Sequence, residues 1–454
     1  MNKLQVGYAQ VNINAPLGIG VNGYYVPRFA KGYLDDMYAS ALALQCKEEK
    51  VLMITVDVVG LGKVLSETYR QAVANATGIK FENIFLSCSH THTGPFVEVG
   101  FGFAVDKEQV QWYVDFLRRR IVDVAQVAMN DIKPAKMGFI TGYAPERVAY
   151  IRRYKMKDGS IMTCPPVGDP NIDHPLGVLD QRVHVLRFDQ ENGETIVLMN
   201  YGLHADTIGG EYLSSDWIGW VRDTLYKALD GVKCMCVVGC QGDVGSTNVF
   251  PKGGDMNDTE ISFDNEMKSP GMARFVGRAL AGTVLQVFDK VEYIDVEDLA
   301  ILHKDVKVGA NKGTPEQLPL ARKYKELHDA GRDDEIPFEA MELTTVIAEA
   351  NRICRMETAP DFFDIHVTGL KIGSVAFVGF GGEPFTDIGV QVKDTPGWSM
   401  IMTCCIVNGY AGYFPTKEAY DEGGYEVRGS SYQSNVAELL VTAGKEILKT
   451  LSEK

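Results

Sequence analysis

The chain has 454 residues, 45% apolar and 23% charged, a globular balance that suits one large domain or two ordinary ones and excludes disordered or collagen-like classes. Lys and Arg number 45 against 60 Asp and Glu, so the formal charge is 45 − 60 = −15, which disfavours partners rich in phosphate, nucleic acids and anionic lipid surfaces alike. No apolar run reaches the roughly 18–20 residues of a membrane-spanning helix, and none near MNKLQVGYAQ suits a signal-peptide core; the expectation is a cytoplasmic protein, export requiring a leader already removed.

In chain order, short apolar runs alternate with amphipathic stretches. VLMITV leads to Asp57 and NIFLSCS leads to His90, each of a length that suits a buried strand. Residues 107–130 then place Val110, Tyr113, Val114, Leu117 and Ile121 three and four apart, which predicts a long helix lying on a sheet. TIVLMNY precedes His204, and SSDWIGWVRDTLYKAL predicts a helix capped by Ser215 or Asp216. CMCVVG precedes Gln241, and Ser269-Pro270 opens a helix running to about Phe288. Residues 313–357 read as two charged helices broken near Gly331 and Pro337, a helical insertion or lid whose plainest reading is a solvated hairpin. SVAFVGF precedes Glu383, and SMIMTCCIV precedes Asn408. The pattern predicts an α/β fold of layered sheets flanked by helices, with residues 1–454 forming one catalytic domain free of linkers and repeats. Most of the nine cysteines sit in apolar runs; Cys234 and Cys236 share one strand face and are expected to pack in the core.

The chemistry collects after the strands. S-H-T-H-T-G-P carries His90 and His92. His204 is followed by Asp206 and then by Asp216; C-Q-G-D-V-G carries Gln241 and Asp243; G-G-E-P-F carries Glu383; N-G-Y-A-G-Y-F-P carries Tyr410 and Tyr413. Open α/β sheets bind ligands outside the carboxyl ends of their strands, so these turns are expected to converge on a site. His-x-His joined by His204 and Glu383 predicts a metal centre, and imidazole plus carboxylate suits one Zn²⁺ better than Fe or Mn. Asp57, Asp206 and Asp216 are candidates to hold imidazole tautomers, with capping as the competing account, above all for Asp216. Gln241 and Asp243 are candidates to touch ligand or substrate, although Asp243 could equally cap its own glycine-rich turn.

The segments VGYAQVNINAPLG…NGY, DDMYASALAL, SCSHTHTGP, NYGLHADT…LSSD, GGEPF and AGYFPTKEAYDEGGYE together resemble the neutral/alkaline (non-lysosomal) ceramidase family, zinc amidases that split the fatty-acyl amide of ceramide. The resemblance runs from about Val6 to about Glu438, and Tyr413 and Tyr425 keep the twelve-residue spacing of the family's two site tyrosines. It implies zinc on His90, His204, Glu383 and Tyr413, with His92 beside the scissile amide and Tyr425 against the substrate. It also implies a site arginine, Arg152 with Arg153 as competitor, and draws Gly23 of the NGY segment toward the site. Two features depart from the family: Gly242 stands where the resemblance places a serine proposed for catalysis, and with little sequence after SNVAELLVTAGKEILKTL the expectation is a catalytic domain without the family's C-terminal immunoglobulin-like domain.

The expectation is therefore a zinc-dependent hydrolase of C–N amide bonds acting by metal-activated water, on a lipid or small-molecule amide, with no nucleic-acid partner. Its rivals are a metal-dependent enzyme acting on a soluble small amide or sugar derivative, and a non-catalytic metal- or ligand-binding protein built on the same scaffold.

Overall fold

The computed structural model describes residues 4–98, 105–256 and 267–454. The predicted apolar runs are strands: Glu49–Val56, Ile84–Cys88, Thr195–Tyr201, Lys233–Val238, Val375–Phe380 and Met400–Cys404. Thr195–Tyr201 and Val375–Phe380 are buried on both faces almost throughout, which explains why their sequences run apolar rather than alternating.

Two sheets lie face to face. The larger has, in spatial order, Lys233–Val238, Thr195–Tyr201, Arg182–Gln190, Lys133–Tyr143, Gln5–Asn12, Tyr38–Cys46, Glu49–Val56 and Ile84–Cys88, with Glu292–Ile294 pairing Lys133–Tyr143. Gln5–Asn12 meets Lys133–Tyr143 only through Gln5 and Val6, so the sheet hinges there into two halves. The smaller sheet orders Leu299–Gly309, Phe362–Ile372, Val375–Phe380 and Met400–Cys404. Strand periodicity sorts the core. Ala39, Ala41 and Ala43 of Tyr38–Cys46 join the core beneath the helices Lys63–Thr77, Lys107–Asn130, Trp217–Ala228 and Pro270–Val287. Leu42 and Leu44 of the same strand meet Leu370, Phe377 and Met402 between the sheets. The helices Thr386–Lys393 and Val436–Ser452 cover the outer face of the smaller sheet, completing layers of helix, sheet, sheet and helix. The expected α/β architecture of layered sheets flanked by helices is present.

Helix starts follow local chemistry. Asp106 caps Lys107–Asn130 by accepting from the backbone N–H groups of Glu108 and Gln109, and Ser269 caps Pro270–Val287 through Met272 N–H at 3.0 Å. Of the two expected caps for Trp217–Ala228, Asp216 serves, accepting from Trp217 N–H at 2.6 Å. Cys234 and Cys236 are buried with sulfurs 3.8 Å apart, and all nine cysteines are free thiols.

The hairpin at 313–357 differs from the solvated reading. Its helices Leu318–Asp329 and Ala340–Met356 have charged outer faces, but the second buries Thr345, Val346, Ile347, Ala348, Ala350, Arg352, Ile353 and Met356. Arg352 donates inward, to the carbonyls of Asn311 and Arg428 at 2.6 and 2.7 Å. Charge along the sequence reports the wet face of a helix, and its other face here roofs the cavities described below. Among the described residues no helix is long and apolar enough to cross a membrane.

Candidate metal centre

Loops following six strands meet where the two sheets and the two halves of the large sheet approach one another, and backbone hydrogen bonds knit them together. His92 N–H donates to Ala205 O at 2.9 Å, Gly242 N–H to Pro384 O at 3.0 Å, Ile406 N–H to Gly382 O at 2.9 Å and Asn408 N–H to Leu86 O at 2.7 Å. Glu383 and Tyr413, thirty residues apart, are register partners in a two-residue parallel pairing of Glu383–Pro384 with Tyr413–Phe414. His90 adopts φ +62°, an uncommon conformation for a non-glycine residue, of the kind that concentrates at functional sites.

The loop geometry settles the tautomers of two imidazoles. His90 Nδ1 lies 2.6 Å from Val59 O, and His204 Nδ1 lies 2.8 Å from Gln241 O and 3.0 Å from Val244 O. A carbonyl accepts only, so both Nδ1 atoms carry a proton, and in the neutral rings both Nε2 atoms present lone pairs. Those two Nε2 atoms each lie 3.1 Å from Glu383 Oε2, an atom that no hydrogen bond satisfies although Glu383 is fully buried. His92 Nε2 is 3.2 Å from His90 Nε2, and the three histidines form a buried group whose ring nitrogens could hold a metal ion. Converging acceptors repel unless a cation or a proton sits among them. The donor set of imidazoles and a carboxylate therefore fits a divalent metal.

The titration of the groups shows the same demand for positive charge beside Glu383. Burial raises the Glu383 carboxyl, but His90 and His204 outweigh it and hold its pKa well below 4.5. Burial, then Arg152, pushes His204 down to about 4, and burial pushes His92 well below 6.5. For His90 burial acts downward, yet the Glu383 carboxylate lifts it above 6.5. Burial and Glu383 raise the Tyr413 phenol well above 10, a direction that a neighbouring dication would reverse.

Around this cluster the remaining candidates take distinct places. Arg152 is anchored by Nε to Glu426 Oε1 at 2.7 Å and by Nη2 to Gly242 O at 2.8 Å, with Nη1 3.3 Å from His204 Nε2 and its guanidinium carbon 5.4 Å from the Tyr413 ring centre. Arg153 turns away to Glu422 and Gly423 O at 3.0 and 2.9 Å. The Tyr425 ring packs edge-on against Tyr413 with centroids 5.7 Å apart. Gly23, at φ +114°, lies so close to His92 that a Cβ would stand 2.8 Å from its Cα. Asp57 and Asp243 do not reach an imidazole nitrogen: Asp57 binds Arg222 at 2.6 Å and Tyr38 N–H at 2.8 Å, and Asp243 accepts from Thr386 N–H at 2.8 Å and Thr386 Oγ1 at 2.9 Å. Asp243 thus anchors the helix after Glu383 as well as bonding within its own turn, and burial raises its pKa to about 6. Asp216 caps its helix and accepts from Thr207 N–H at 2.9 Å. Gln241 acts on His204 through its backbone carbonyl. Asp206 is the aspartate that faces a ring, with Oδ1 3.7 Å from His92 Nδ1.

Two residues outside the expected set stand out. Tyr410 OH donates to Glu383 Oε1 at 2.8 Å and so orients that carboxylate; its position at the end of a strand signalled the site but not this bond. Lys268 Nζ lies 2.8 Å from Asp206 Oδ2 and 2.9 Å from Tyr24 OH, and no local motif announced it.

A cavity of about 650 Å³ opens onto His90 and His92, walled by Tyr25, Tyr410, Tyr413 and Tyr425 and roofed by Ala348 and Met356 of the hairpin. A second, of about 100 Å³, shares Gly23, His92, Tyr413 and Tyr425 with it and adds Arg152 and Lys268, with Leu343 and Ile347 above.

No protein-family profile matches the sequence, and no curated protein matches it. Solved structures do. The chain superposes on the neutral ceramidase from Pseudomonas aeruginosa with a TM-score of 0.71 at 15% identity, covering 100% of this chain and 75% of that one. A ceramidase complexed with C2 gives a TM-score of 0.72 at 16% identity, covering 100% of this chain and 76% of the other. The fold is thus ceramidase-like.

Proposed function

We propose that the chain is a metal-dependent amidase of ceramidase type, hydrolysing a linear C–N amide bond. One observation carries the reading: the Nε2 atoms of two buried imidazoles each lie 3.1 Å from the same buried carboxylate oxygen, at the edge of a cavity of about 650 Å³. The ceramidase-like fold supports it. His90, His204, Glu383 and Tyr413 would hold the metal, and Zn²⁺ suits their chemistry best. When bound, the ion supplies Lewis acidity and lowers the pKa of water toward neutrality.

The chain's own residues supply the rest. His92, neutral at pH 7, accepts a proton as water adds to the carbonyl carbon and returns it to the departing nitrogen, so that one amide and one water give a carboxylate and an ammonium. Arg152 Nη1, fixed by its bonds to Glu426 and Gly242, donates toward the negative charge that develops on the carbonyl oxygen. Tyr425 positions the substrate between the cavities. A serine nucleophile at position 242 has no support, because this chain has glycine there.

The test is metal analysis together with turnover of ceramides and of soluble N-acyl amides by the zinc-loaded protein. His90→Ala and Glu383→Ala are expected to lose bound zinc; full occupancy in either would remove the ligand assignment. A zinc-loaded protein hydrolysing no amide would leave the non-catalytic reading standing instead.

A further inference from the structure

The helix Tyr425–Gly429 brings two residues to the site on five positions. Tyr425 borders both cavities. Glu426, 0% exposed, accepts from Arg152 Nε at 2.7 Å and from Thr163 Oγ1 at 2.8 Å. A helix this short is not stable by its own hydrogen bonds. The chain enters it through Gly423 and Gly424 at φ +96° and +100°, conformations that glycine adopts freely, so the entry does little to fix its direction. Its rotation must be set by side chains that reach other elements.

Glu426 is the inward tie and Arg428 the outward one. At about 100° per residue, Arg428 stands about 200° round the helix from Glu426. Arg428 Nη1 donates to Glu342 Oε1 at 2.6 Å, and its Nε and Nη2 donate to Glu349 Oε2 at 3.0 and 2.7 Å. Both glutamates belong to Ala340–Met356, the hairpin helix that roofs the cavities. Arg352 of that helix, itself buried, adds a third tie by donating to the Arg428 carbonyl at 2.7 Å. An isolated pair of partly exposed charges contributes little to stability. Three charge-assisted bonds from one planar fork to two carboxylates fix an orientation as well. Ties on opposite sides resist rotation of the short helix, which neither side does alone. Rotation matters at the inner end, because Arg152 is reached through Glu426, and misplacing a group at the reacting atoms by about 1 Å costs up to about 100-fold in rate.

We propose that Arg428 is a positioning residue for the reaction: gripped by Glu342 and Glu349 of the roof, it sets the rotation of Tyr425–Gly429 and, through Glu426, the place of Arg152. The proposal rests on the amidase reading and adds to it a dependence of the site on the hairpin. The roof is then part of the machinery that aims Arg152, and Arg428 touches neither substrate nor metal.

The zinc-loaded protein is to be assayed with a ceramide in detergent and with N-dodecanoyl-ethanolamine, measuring kcat and KM, with zinc affinity by chelator competition. Arg428→Met is expected to lower kcat about 10–30-fold and to leave zinc affinity within about 3-fold, since the proposed ligands stand on other elements. Glu349→Gln, a milder change that keeps the side-chain shape, should lower kcat about 3–10-fold, and Arg428→Lys, which keeps the charge but not the fork, should fall between unmutated protein and Arg428→Met. The deciding comparison is made in Arg152→Met: if Arg428 acts through Arg152, adding Arg428→Met there costs at most about 3-fold more in kcat, whereas a general weakening of the fold would multiply the two losses. Unchanged kcat in both Arg428→Met and Glu349→Gln, or fully multiplied losses in the double variant, overturns the proposal and leaves the amidase reading intact. Absence of hydrolysis in every protein, unmutated included, ends the amidase reading, and hydrogen exchange then judges the tie: exchange raised about 10-fold by Arg428→Met in residues 425–429 above the rest of the chain supports it, and exchange unchanged there or raised equally throughout overturns it.

Discussion

Substituting Gly242 with serine introduces the residue that the sequence resemblance leads one to expect there, and the structure gives the cost. A Cβ built on Gly242 would lie 2.6 Å from the Glu383 carbonyl oxygen, with Phe385 Cδ1 at 3.1 Å and the Pro384 carbonyl carbon at 3.2 Å. Carbon–oxygen contacts settle at about 3.3–3.6 Å, so the Glu383 loop must retreat by roughly 0.7 Å. The obstacle is backbone, tied by Gly242 N–H to Pro384 O at 3.0 Å, and cannot rotate aside as a side chain would. A constellation of ligands tolerates about 0.5 Å, so displacement of Glu383 should weaken zinc binding by about 10–100-fold and lower kcat/KM by a similar factor. Overpacking should also destabilise the metal-free fold by about 1–3 kcal/mol. Zinc affinity by chelator competition, amide turnover and urea unfolding of the metal-free protein measure the three effects. Gly242→Ser with undiminished zinc affinity and equal or higher activity would refute the reasoning, showing that the loop yields and that a serine can serve here.

Other outcomes follow from single contacts. Tyr410→Phe deletes the 2.8 Å bond that orients Glu383 and should weaken zinc binding about 10-fold while leaving the circular dichroism spectrum unchanged; unaltered affinity would remove its positioning role. Gly23→Ala must adopt φ +114° and meets His92, so it should destabilise the protein by about 1–3 kcal/mol and depress kcat more than KM, as steady-state kinetics and thermal unfolding would reveal. In metal-free protein His204 has its pKa lowered to about 4, so between pH 4 and 6.5 the unfolded chain binds more protons at this residue than the folded one. Its contribution is full above pH 6.5 and is lost as pH falls to 4, at most about 3 kcal/mol. Urea midpoints of the metal-free protein should fall with a steeper pH slope than those of His204→Gln, and identical slopes would remove the assignment.

Much of the fold was legible because burial has a period. Apolar runs of six or seven residues marked strands buried on both faces, and the stripe from Val110 to Ile121 marked the helix Lys107–Asn130. Strand direction was not legible: most neighbours in the large sheet are antiparallel, with parallel pairs at its two ends, and an apolar run has no sign. The hairpin misled for a related reason, since abundant surface charge hid the buried face carrying Val346, Ile347 and Ile353.

At the site, the amino-acid sequence by itself determined which chemistry-bearing residues stand at strand ends, because a buried strand must finish in a turn and polar groups collect where the chain re-emerges. The tertiary structure alone decided what those residues can do. His90 takes its tautomer from Val59, 31 positions earlier, His204 from Gln241, 37 positions later, and Arg152 is fixed by Glu426, 274 positions away. Lys268 enters the site through Asp206 at a separation of 62. A proton's place on an imidazole and a cation's place in a cavity wall depend on which acceptor comes within about 3 Å in space, and no local pattern in the chain records that distance.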